Sequence, residues 1–302
     1  MKRKKLLFLV NPHAGKSEIR HKLLEIVDLF VRHGWEVTVH TTQRPLEIPK
    51  LVKRRAKRYE LVVCCGGDGT LNETVAGLMA CDPRPMLGYI PAGTVNDFAS
   101  SLGLSKNMPE AARAIMEGVP FCCDIGGFND RYFTYIAAFG AFTDVAYQTP
   151  QQTKNVLGRA AYILEGIRRL PSIKAYRLTV EHDGGRVEGD FLFGMVTNSR
   201  SVGGFRLAGK IDVSMNDGLL EVLLVRNPTN PMEAQQVITA ILGQQFDSEL
   251  ILCFRTTAVT FCSAEEVPWT LDGEFGGAVC RAEIVNHPRA LQVLTDPGAL
   301  PA

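Results

Sequence analysis

The sequence lacks the features that would assign it to a special class of protein. Its 302 residues carry a net charge of only +1, so the charge balance favours neither nucleic acid nor an acidic partner. No apolar run approaches the roughly 18 residues that a membrane-spanning helix needs. Its eight cysteines form no C-x-x-C pair, which favours reduced thiols over disulfides or zinc. The apolar run that ends at Asn11 is too short for a secretory signal, and a cytoplasmic protein is predicted.

The two most familiar phosphate-binding motifs are also missing. No G-x-G-x-x-G stands at the strand–helix junction near residue 66. The "GKS" at 15–17 lacks the glycine that a Walker A loop has five residues before Gly15, where Val10 stands. A nucleotide site must therefore depend on other residues.

Short apolar runs and helical patterns alternate over the first 120 residues, which predicts a mostly parallel, Rossmann-like α/β sheet with helices on both faces. Strands then dominate, and an antiparallel assembly is predicted. The domains are expected at 1–125 and 126–302, with the last C-terminal residues packing back on the first domain. The predicted strands are 5–12, 35–42, 61–65, 86–91, 132–140, 176–182, 187–197, 219–226, 250–255, 257–262 and 279–285. The predicted helices are 17–33, 47–58, about 71–79, 109–117, 157–170 and 231–244.

Three polar, glycine-bearing turns follow predicted parallel strands: "VNPHAGKS" (10–17), "CCGGDGTLNE" (64–73) and "IPAGTVNDFA" (90–99). In open α/β sheets such turns gather at the carboxyl edge of the strands, where ligands bind. Glycines before a helix let phosphate oxygens reach backbone N–H groups. Asp68 cannot face phosphate directly and would hold Mg²⁺ or a water. The alternative is a tight turn in which Asp68 and Thr70 only satisfy backbone donors.

In that order and spacing, "NPHAG", "GGDGTLNE" and "PAGTVNDFA" resemble the diacylglycerol kinase catalytic family, which includes bacterial lipid kinases and is distantly related to NAD kinases. Later stretches agree, namely "LGRAAYILEGIRRL", "NDGLLEVLLV" and "WTLDGE", so the resemblance covers nearly the whole chain. It implies ATP as donor and a lipid hydroxyl as acceptor, with diacylglycerol as the default. It also implies a C-terminal β-sandwich and an active site in the cleft between the two domains.

The resemblance further implies which residues line the nucleotide. Thr41 matches less securely than the others, because Thr42 could serve instead. The full set is Asn11, Pro12, His13, Ala14, Gly15, Thr41, Gly67, Asp68, Gly69, Thr70, Leu71, Asn72, Glu73 and Thr94.

The "TLDGE" turn at 270–274 is expected to supply the catalytic base. A lipid hydroxyl is a poor nucleophile at pH 7, so a carboxylate within reach is needed. The resemblance favours Asp272, with Glu274 as the second candidate and Asp68 completing the catalytic set. Asp-Gly also suits a type I′ hairpin turn, so a purely structural role stays open.

Magnesium is implied at two places. Asp68, Asp97 and Asp124 would form a network of water and Mg²⁺ near the phosphates, although Asp97 could simply cap a helix and Asp124 could lie in a turn. The second place is a structural Mg²⁺ site, implied at Asp217, the carbonyl of Leu219 and Asp212, because the expected first acid falls on Ser214.

Two basic runs, 2–5 and 50–58, are either solvated faces or a surface for anionic lipid. We expect transient contact with a membrane surface and no nucleic acid, and a homodimer stays open. Two other functions are weighed. NAD kinase shares the GGDG turn, and a non-catalytic nucleotide- and lipid-binding module would explain binding without turnover. The intact "LDGE" and "GGDGT" favour the lipid kinase.

Overall fold

The computed structural model describes residues 4–140, 174–202, 205–206, 213–243 and 248–298. The predicted helix at 157–170 and the candidate ligand Asp212 lie outside these ranges. None of the helices in the described part of the chain is long and apolar enough to cross a bilayer.

Four parallel strands form the first sheet, in the order β4-β3-β1-β2. Leu7 and Leu9 face one side of this sheet, whereas Leu6 and Phe8 face the other. Because successive side chains of a strand point to opposite faces, β1 is buried on both sides. The elements are β1 (Lys4–Val10), α1 (Ile19–Arg32), β2 (Trp35–Thr41), α2 (Ile48–Arg55) with a 3₁₀ turn (Ala56–Arg58), β3 (Leu61–Gly66), α3 (Asp68–Met79), β4 (Met86–Pro91), α4 (Asp97–Ser101) and α5 (Met108–Glu117).

The remaining strands pair antiparallel with one another and enclose a second core around Trp269 and Phe139, whose ring centroids are 4.9 Å apart. They are β5 (Val119–Phe128), β6 (Arg131–Phe133), β7 (Ile136–Gly140), β8 (Tyr176–His182), β9 (Gly185–Thr197), β10 (Ser201–Val202), β11 (Phe205–Arg206) and β12 (Leu220–Arg226), then α6 (Pro231–Gly243), β13 (Ile251–Thr256), β14 (Ala258–Leu271) and β15 (Glu274–Thr295).

β15 joins the two sheets. It pairs with β14 and β5 over most of its 22 residues, and its end pairs in parallel with β4 at Val293 and Leu87. The sequence predicted only 279–285 of this strand and missed β5. The strand continues past "NHPR" through a shift in register between His287 and Leu291, and such a bulge breaks the alternation that marks a strand.

Candidate active site

The three glycine-bearing turns meet at the carboxyl edge of the parallel sheet. The Asn11 amide donates to the hydroxyl of Thr70 at 3.1 Å, which joins the first turn to the second. A Cβ on Gly15 would lie 2.2 Å from the carbonyl oxygen of Ala92, so the first turn also touches the third. Gly15 has a φ of +52°, a conformation that other residues rarely adopt. The turns therefore form one continuous surface.

The two glycines on either side of Asp68, Gly67 and Gly69, have different neighbours. A Cβ on Gly67 would meet the Cα of Gly93 at 3.3 Å, so Gly67 allows the second and third turns to approach each other. A Cβ on Gly69 would meet only the Glu274 carboxylate, at 3.8 Å. Gly69 therefore borders open space in front of the helix α3.

Asp68 is the first residue of α3 and carries an unusual charge environment. Its Oδ2 accepts the backbone N–H of Asn96 at 3.0 Å, whereas its buried Oδ1 accepts no hydrogen bond from any described residue. Burial, followed by the nearby charges of Asp97 and Asp272, raises the pKa of Asp68 to about 7. An orphaned carboxylate oxygen beside two further acids fits a cation that keeps waters or phosphates as its remaining ligands.

The third turn is held together by Asn96. Its side-chain oxygen accepts the N–H of Gly93 at 2.9 Å and the Tyr89 hydroxyl at 3.3 Å, and its amide donates back to the Gly93 carbonyl. Asn96 adopts a left-handed φ of 58° before α4, and Asp97 opens that helix with only 1% of its surface exposed. Asp97 therefore lies close to Asp68, and it is the first residue of α4 and not its N-cap, which is Asn96.

Asp272 occupies the tip of the β14–β15 hairpin. Asp272 and Gly273 have φ values of 49° and 83°, which are the left-handed conformations of a type I′ turn. Its buried carboxylate accepts five hydrogen bonds, from Asn72 Nδ2 (2.7 Å), Thr134 N (2.6 Å), Thr134 Oγ1 (2.8 Å), Tyr135 N (2.9 Å) and Ile136 N (3.1 Å). Burial raises the pKa of Asp272, and the donors oppose that shift. The residue is both a hairpin residue and part of the crevice.

Two other side chains surround Asp272. Glu274 is exposed and lies near Gly69, as its contact with the Cβ position there shows. The Tyr135 hydroxyl lies 3.6 Å from the Cβ position of Gly273, and burial and then the charge of Asp272 raise the Tyr135 pKa well above its ordinary value. Tyr135 is therefore a protonated phenol among carboxylates.

Asp124 is not brought to this set by any contact among the described residues. Its carboxylate accepts the N–H of Gly218 at 2.7 Å, the Asn286 amide at 2.9 Å and the N–H of Arg289 at 2.7 Å. Its backbone carbonyl accepts the Asn198 amide at 2.9 Å. Asp124 lies in the middle of β5 and not in a turn, and these contacts join that strand to the C-terminal half of the chain.

Asp217 lies in the turn before β12, beside a cation that the protein itself supplies. Its Oδ1 accepts the Leu219 N–H at 3.0 Å, and its Oδ2 is paired with the guanidinium of Arg255. The Arg255 Nε also lies 3.3 Å from the carboxylate of Glu221, which stands opposite it on the neighbouring strand and is 1% exposed. Burial raises the pKa of Glu221 to about 8. Both oxygens of Asp217 thus have protein partners, whereas neither carboxylate oxygen of Glu221 accepts a hydrogen bond from a described residue.

The other predicted nucleotide-lining residues are distributed unevenly. The side chain of Leu71 lies in the core between sheet and helix, and Ala14 is also buried. The Glu73 carboxylate accepts the N–H of Leu46 at 2.9 Å. Thr41 is exposed at the end of β2 and accepts hydrogen bonds from the side chain of Gln43. The set that remains open at the crevice comprises Pro12, His13, Gly15, Gly69 and Thr94.

Among the described residues, no group of three or more His, Cys, Asp or Glu side chains is spaced to enclose a metal by itself. A cation at Asp68 would therefore need oxygen ligands from outside the protein, such as the phosphates of a nucleotide.

Comparison with known families assigns the chain. The diacylglycerol kinase catalytic domain matches residues 5–127, and a C-terminal domain described as similar to the β-sandwich of NAD kinase matches residues 138–295. The chain therefore belongs to the diacylglycerol kinase catalytic family, and it is a lipid kinase that uses ATP.

Curated relatives cover the chain almost completely. A diacylglycerol kinase of Bacillus subtilis is 35% identical over 297 residues, which is 97% of this chain and 96% of the relative. One of Staphylococcus carnosus is 32% identical over 97% of this chain and 95% of its own length. A solved structure of a diacylglycerol kinase from Bacillus anthracis superposes with a TM-score of 0.77 at 22% identity, covering 99% of this chain and 100% of that one. At that identity the structure shows the shared fold.

Sequence reasoning missed several residues of the site. Thr134, Tyr135 and Arg255 lie outside any recognisable motif, and only the antiparallel pairing of distant strands brings them to Asp272 and Asp217. The partner of Asn72 was also missed, because it is 200 residues away in the sequence. No local signal in the sequence could have indicated these contacts.

Proposed function

We propose that this lipid kinase transfers the γ-phosphate of ATP to the free hydroxyl of diacylglycerol, which yields phosphatidic acid and ADP. The observation that carries the proposal is the meeting of Asp68, on the glycine-rich turn of the first sheet, with Asp272 from the C-terminal half. Phosphoryl transfer needs neutralised phosphates on one side and an oriented hydroxyl on the other. The relatives from Bacillus subtilis and Staphylococcus carnosus, which the chain matches over nearly their whole length, are diacylglycerol kinases.

The three turns would hold the nucleotide, with backbone N–H groups at the start of α3 directed at its phosphates. The open space in front of Gly69 is the place where a phosphate could approach the main chain. Mg²⁺, when bound, would neutralise the developing charge on the phosphates, and the orphaned Oδ1 of Asp68 is the oxygen that would hold it.

Asp272 would orient the lipid hydroxyl and accept its proton. Because five donors already surround the carboxylate, one donor must turn away for that proton to bind, and the hydroxyl of Thr134 is the one that can rotate. Glu274 remains the second candidate, since it is exposed at the same turn and borders the space at Gly69.

The structural cation implied at Asp217 would be replaced by Arg255 in this protein. A guanidinium between two carboxylates supplies the positive charge that a bound Mg²⁺ would supply, and it cannot be lost to a chelator. Residues 1–125 would then bind the nucleotide and 126–302 the lipid, with β15 reaching back to the first sheet.

Incubating the pure enzyme with radiolabelled ATP tests this function. Diacylglycerol in mixed vesicles, a total lipid extract and NAD are offered as separate acceptors. Labelled phosphatidic acid is the expected product. Labelled NADP would instead support the NAD kinase alternative, and ATP binding without any labelled acceptor would support a non-catalytic module.

The basic helix α2 would contact the anionic membrane that contains this acceptor. Lys53, Arg54 and Lys57 are exposed, and Arg55 is partly exposed. Each such cation contributes about 1 kcal/mol near an anionic surface. Reversing these four charges to Glu should abolish vesicle binding. A matched control reverses four exposed cations elsewhere, Lys22, Arg32, Arg177 and Arg281, and equal loss in both variants would mean that only total charge matters.

A further inference from the structure

Asn72 joins the nucleotide-binding turn to the opposite half of the molecule. It follows Asp68 by four residues on α3, so both side chains lie on the same face of the helix. Its side-chain nitrogen donates to Asp272 Oδ2 at 2.7 Å and to the backbone carbonyl of Tyr132 at 3.0 Å. An amide nitrogen has two hydrogens, and both have acceptors here.

Both side-chain N–H groups of Asn72 are therefore occupied, and neither is left to donate to a nucleotide. The family resemblance implied that Asn72 lines the nucleotide together with its neighbours in "GGDGTLNE". The structure directs its amide nitrogen away from the turns and toward β6 and the β14–β15 hairpin. We propose that Asn72 is a positioning residue, which fixes Asp272 relative to Asp68 so that the acceptor hydroxyl and the phosphate meet.

The other four donors to Asp272 cannot do this. They come from Thr134, Tyr135 and Ile136, which belong to the same half of the chain as Asp272. Of the five hydrogen bonds to Asp272, the one from Asn72 crosses to the helix that begins at Asp68. Removing it would leave Asp272 with four donors and without its direct bond to that helix.

Loss of the Asn72–Asp272 hydrogen bond should lower turnover and leave nucleotide binding nearly unchanged. Reacting atoms must be held close to their productive geometry, and a displacement of about 1 Å can cost on the order of 100-fold in rate. The inference rests on the proposed role of Asp272. Phosphorylation of lipid by the wild-type enzyme tests the proposed function by itself, whereas the coupling between two substitutions tests the role of Asn72.

The experiment is a double-mutant cycle of Asn72→Ala and Asp272→Asn, with kcat, the KM for ATP and the thermal midpoint measured for each enzyme. Asn72→Ala should lower kcat by about 10- to 100-fold and change the KM for ATP by less than about 3-fold. In the Asp272→Asn background it should cost little more, because the group that it positions is already lost. Asn72→Gln, which moves the amide by one methylene, should show the same pattern if the alanine variant does not fold.

Asn107→Ala is the control. It also removes a side-chain amide hydrogen bond, from Glu110 N to Asn107 Oδ1 at 3.2 Å at the start of α5, and should keep kcat within about 3-fold of the wild type. An equal loss of kcat in this control would mean that any loosening of the molecule slows the enzyme, which overturns the inference. A higher KM for ATP at normal kcat would make Asn72 a nucleotide ligand. Multiplicative losses in the cycle would show that Asn72 and Asp272 act independently, and an unimpaired Asp272→Asn enzyme would overturn both roles.

Discussion

Two groups of carboxylates in the described part of the chain differ in their surroundings, and one of them contains a cation from the protein itself. The turn group, Asp217 and Glu221, encloses the guanidinium of Arg255. The crevice group, Asp68, Asp97 and Asp272, raises the pKa of Asp68 through burial and mutual repulsion. Within the described part of the chain, neither Asp68 nor Asp272 forms an ion pair with Lys or Arg.

The two groups differ in the source of their positive charge, and this suggests a structural role for one and a functional role for the other. A guanidinium that bridges two carboxylates is permanent, and it joins β13 to β12 and to the turn before β12. Negative charge without a protein cation costs stability, and it is retained where an exchangeable cation arrives with the substrate. The crevice group would therefore suit a magnesium nucleotide, whereas Arg255 supplies positive charge to the turn group.

The largest expected effect in the crevice group is that of Asp272→Asn. An asparagine cannot accept the proton of the lipid hydroxyl, so turnover should fall by about 10²- to 10⁴-fold while ATP affinity changes little. This variant can also lose stability, because five donors point at the carboxylate of Asp272. In an asparagine, the side-chain NH₂ group would face some of these donors without forming a hydrogen bond. Turnover must be expressed per folded enzyme, with ATP titrated as the measure of folded sites.

Glu274→Gln is the companion variant, since Glu274 shares the turn without those bonds. A folded Asp272→Asn enzyme with near-normal turnover, together with an inactive Glu274→Gln enzyme, would transfer the role of base to Glu274.

Asp68→Asn is expected to have the second-largest effect, with opposite signs on activity and stability. Turnover should be mostly lost, because the oxygen that would hold Mg²⁺ is replaced. The folded-state pKa is about 7, whereas the ordinary value is 3.8, so the folded protein loses stability as the pH rises between them. The asparagine variant does not undergo this loss, which amounts to at most about 4 kcal/mol in the free energy of unfolding.

Thermal unfolding at two pH values checks the sign. The variant should gain over the wild type at pH 8, where Asp68 is ionised in both states, and should show little gain near pH 4. Saturating Mg²⁺ should narrow the difference at pH 8. A constant difference at both pH values would show that the charge of Asp68 is not the cause.

The sequence predicted much of this arrangement and missed the contacts that complete it. Alternating strands and helices indicated the parallel strands, and the glycines at 66, 67 and 69 indicated a turn that comes close to other atoms. The structure adds a packing reason for one of them, because a Cβ on Gly67 would meet the Cα of Gly93. Which atoms approach a glycine depends on turns that are distant in the sequence.

The turn group also depends on a contact between residues that are distant in the sequence. The family resemblance implied a structural Mg²⁺ at Asp217, although its expected first acid falls on Ser214. Arg255 is 38 residues away and reaches Asp217 only because β13 pairs with β12 in a particular register. The sequence near Asp217 therefore gives no sign of the guanidinium that the fold brings to it.

Arg255→Met tests the turn group with a moderate effect. It leaves Glu221 buried without its cation and should lower the free energy of unfolding by about 1–3 kcal/mol, since the pair is partly exposed. The deficit should grow as the pH rises through about 8, where Glu221 ionises in the folded state. Arg186→Met removes an exposed ion pair with Glu188 and is the control, with an expected change close to zero. Equal losses in both variants would place Arg255 among ordinary surface cations.

The smallest expected effect is an unchanged thermal midpoint when Mg²⁺ is replaced by EDTA. In the Asp68→Asn enzyme, which lacks the oxygen proposed to hold Mg²⁺ in the crevice, EDTA and Mg²⁺ should give the same thermal midpoint, because Arg255 already supplies positive charge at Asp217. Adding Arg255→Met removes that charge, and the double variant should then gain stability from Mg²⁺ bound by the carboxylates of Asp217 and Glu221. If EDTA instead lowers the midpoint of Asp68→Asn by several degrees, and Mg²⁺ restores it, a cation binds at the turn of Asp217 and Leu219 despite the guanidinium. The two groups of carboxylates would then differ in affinity for metal rather than in kind.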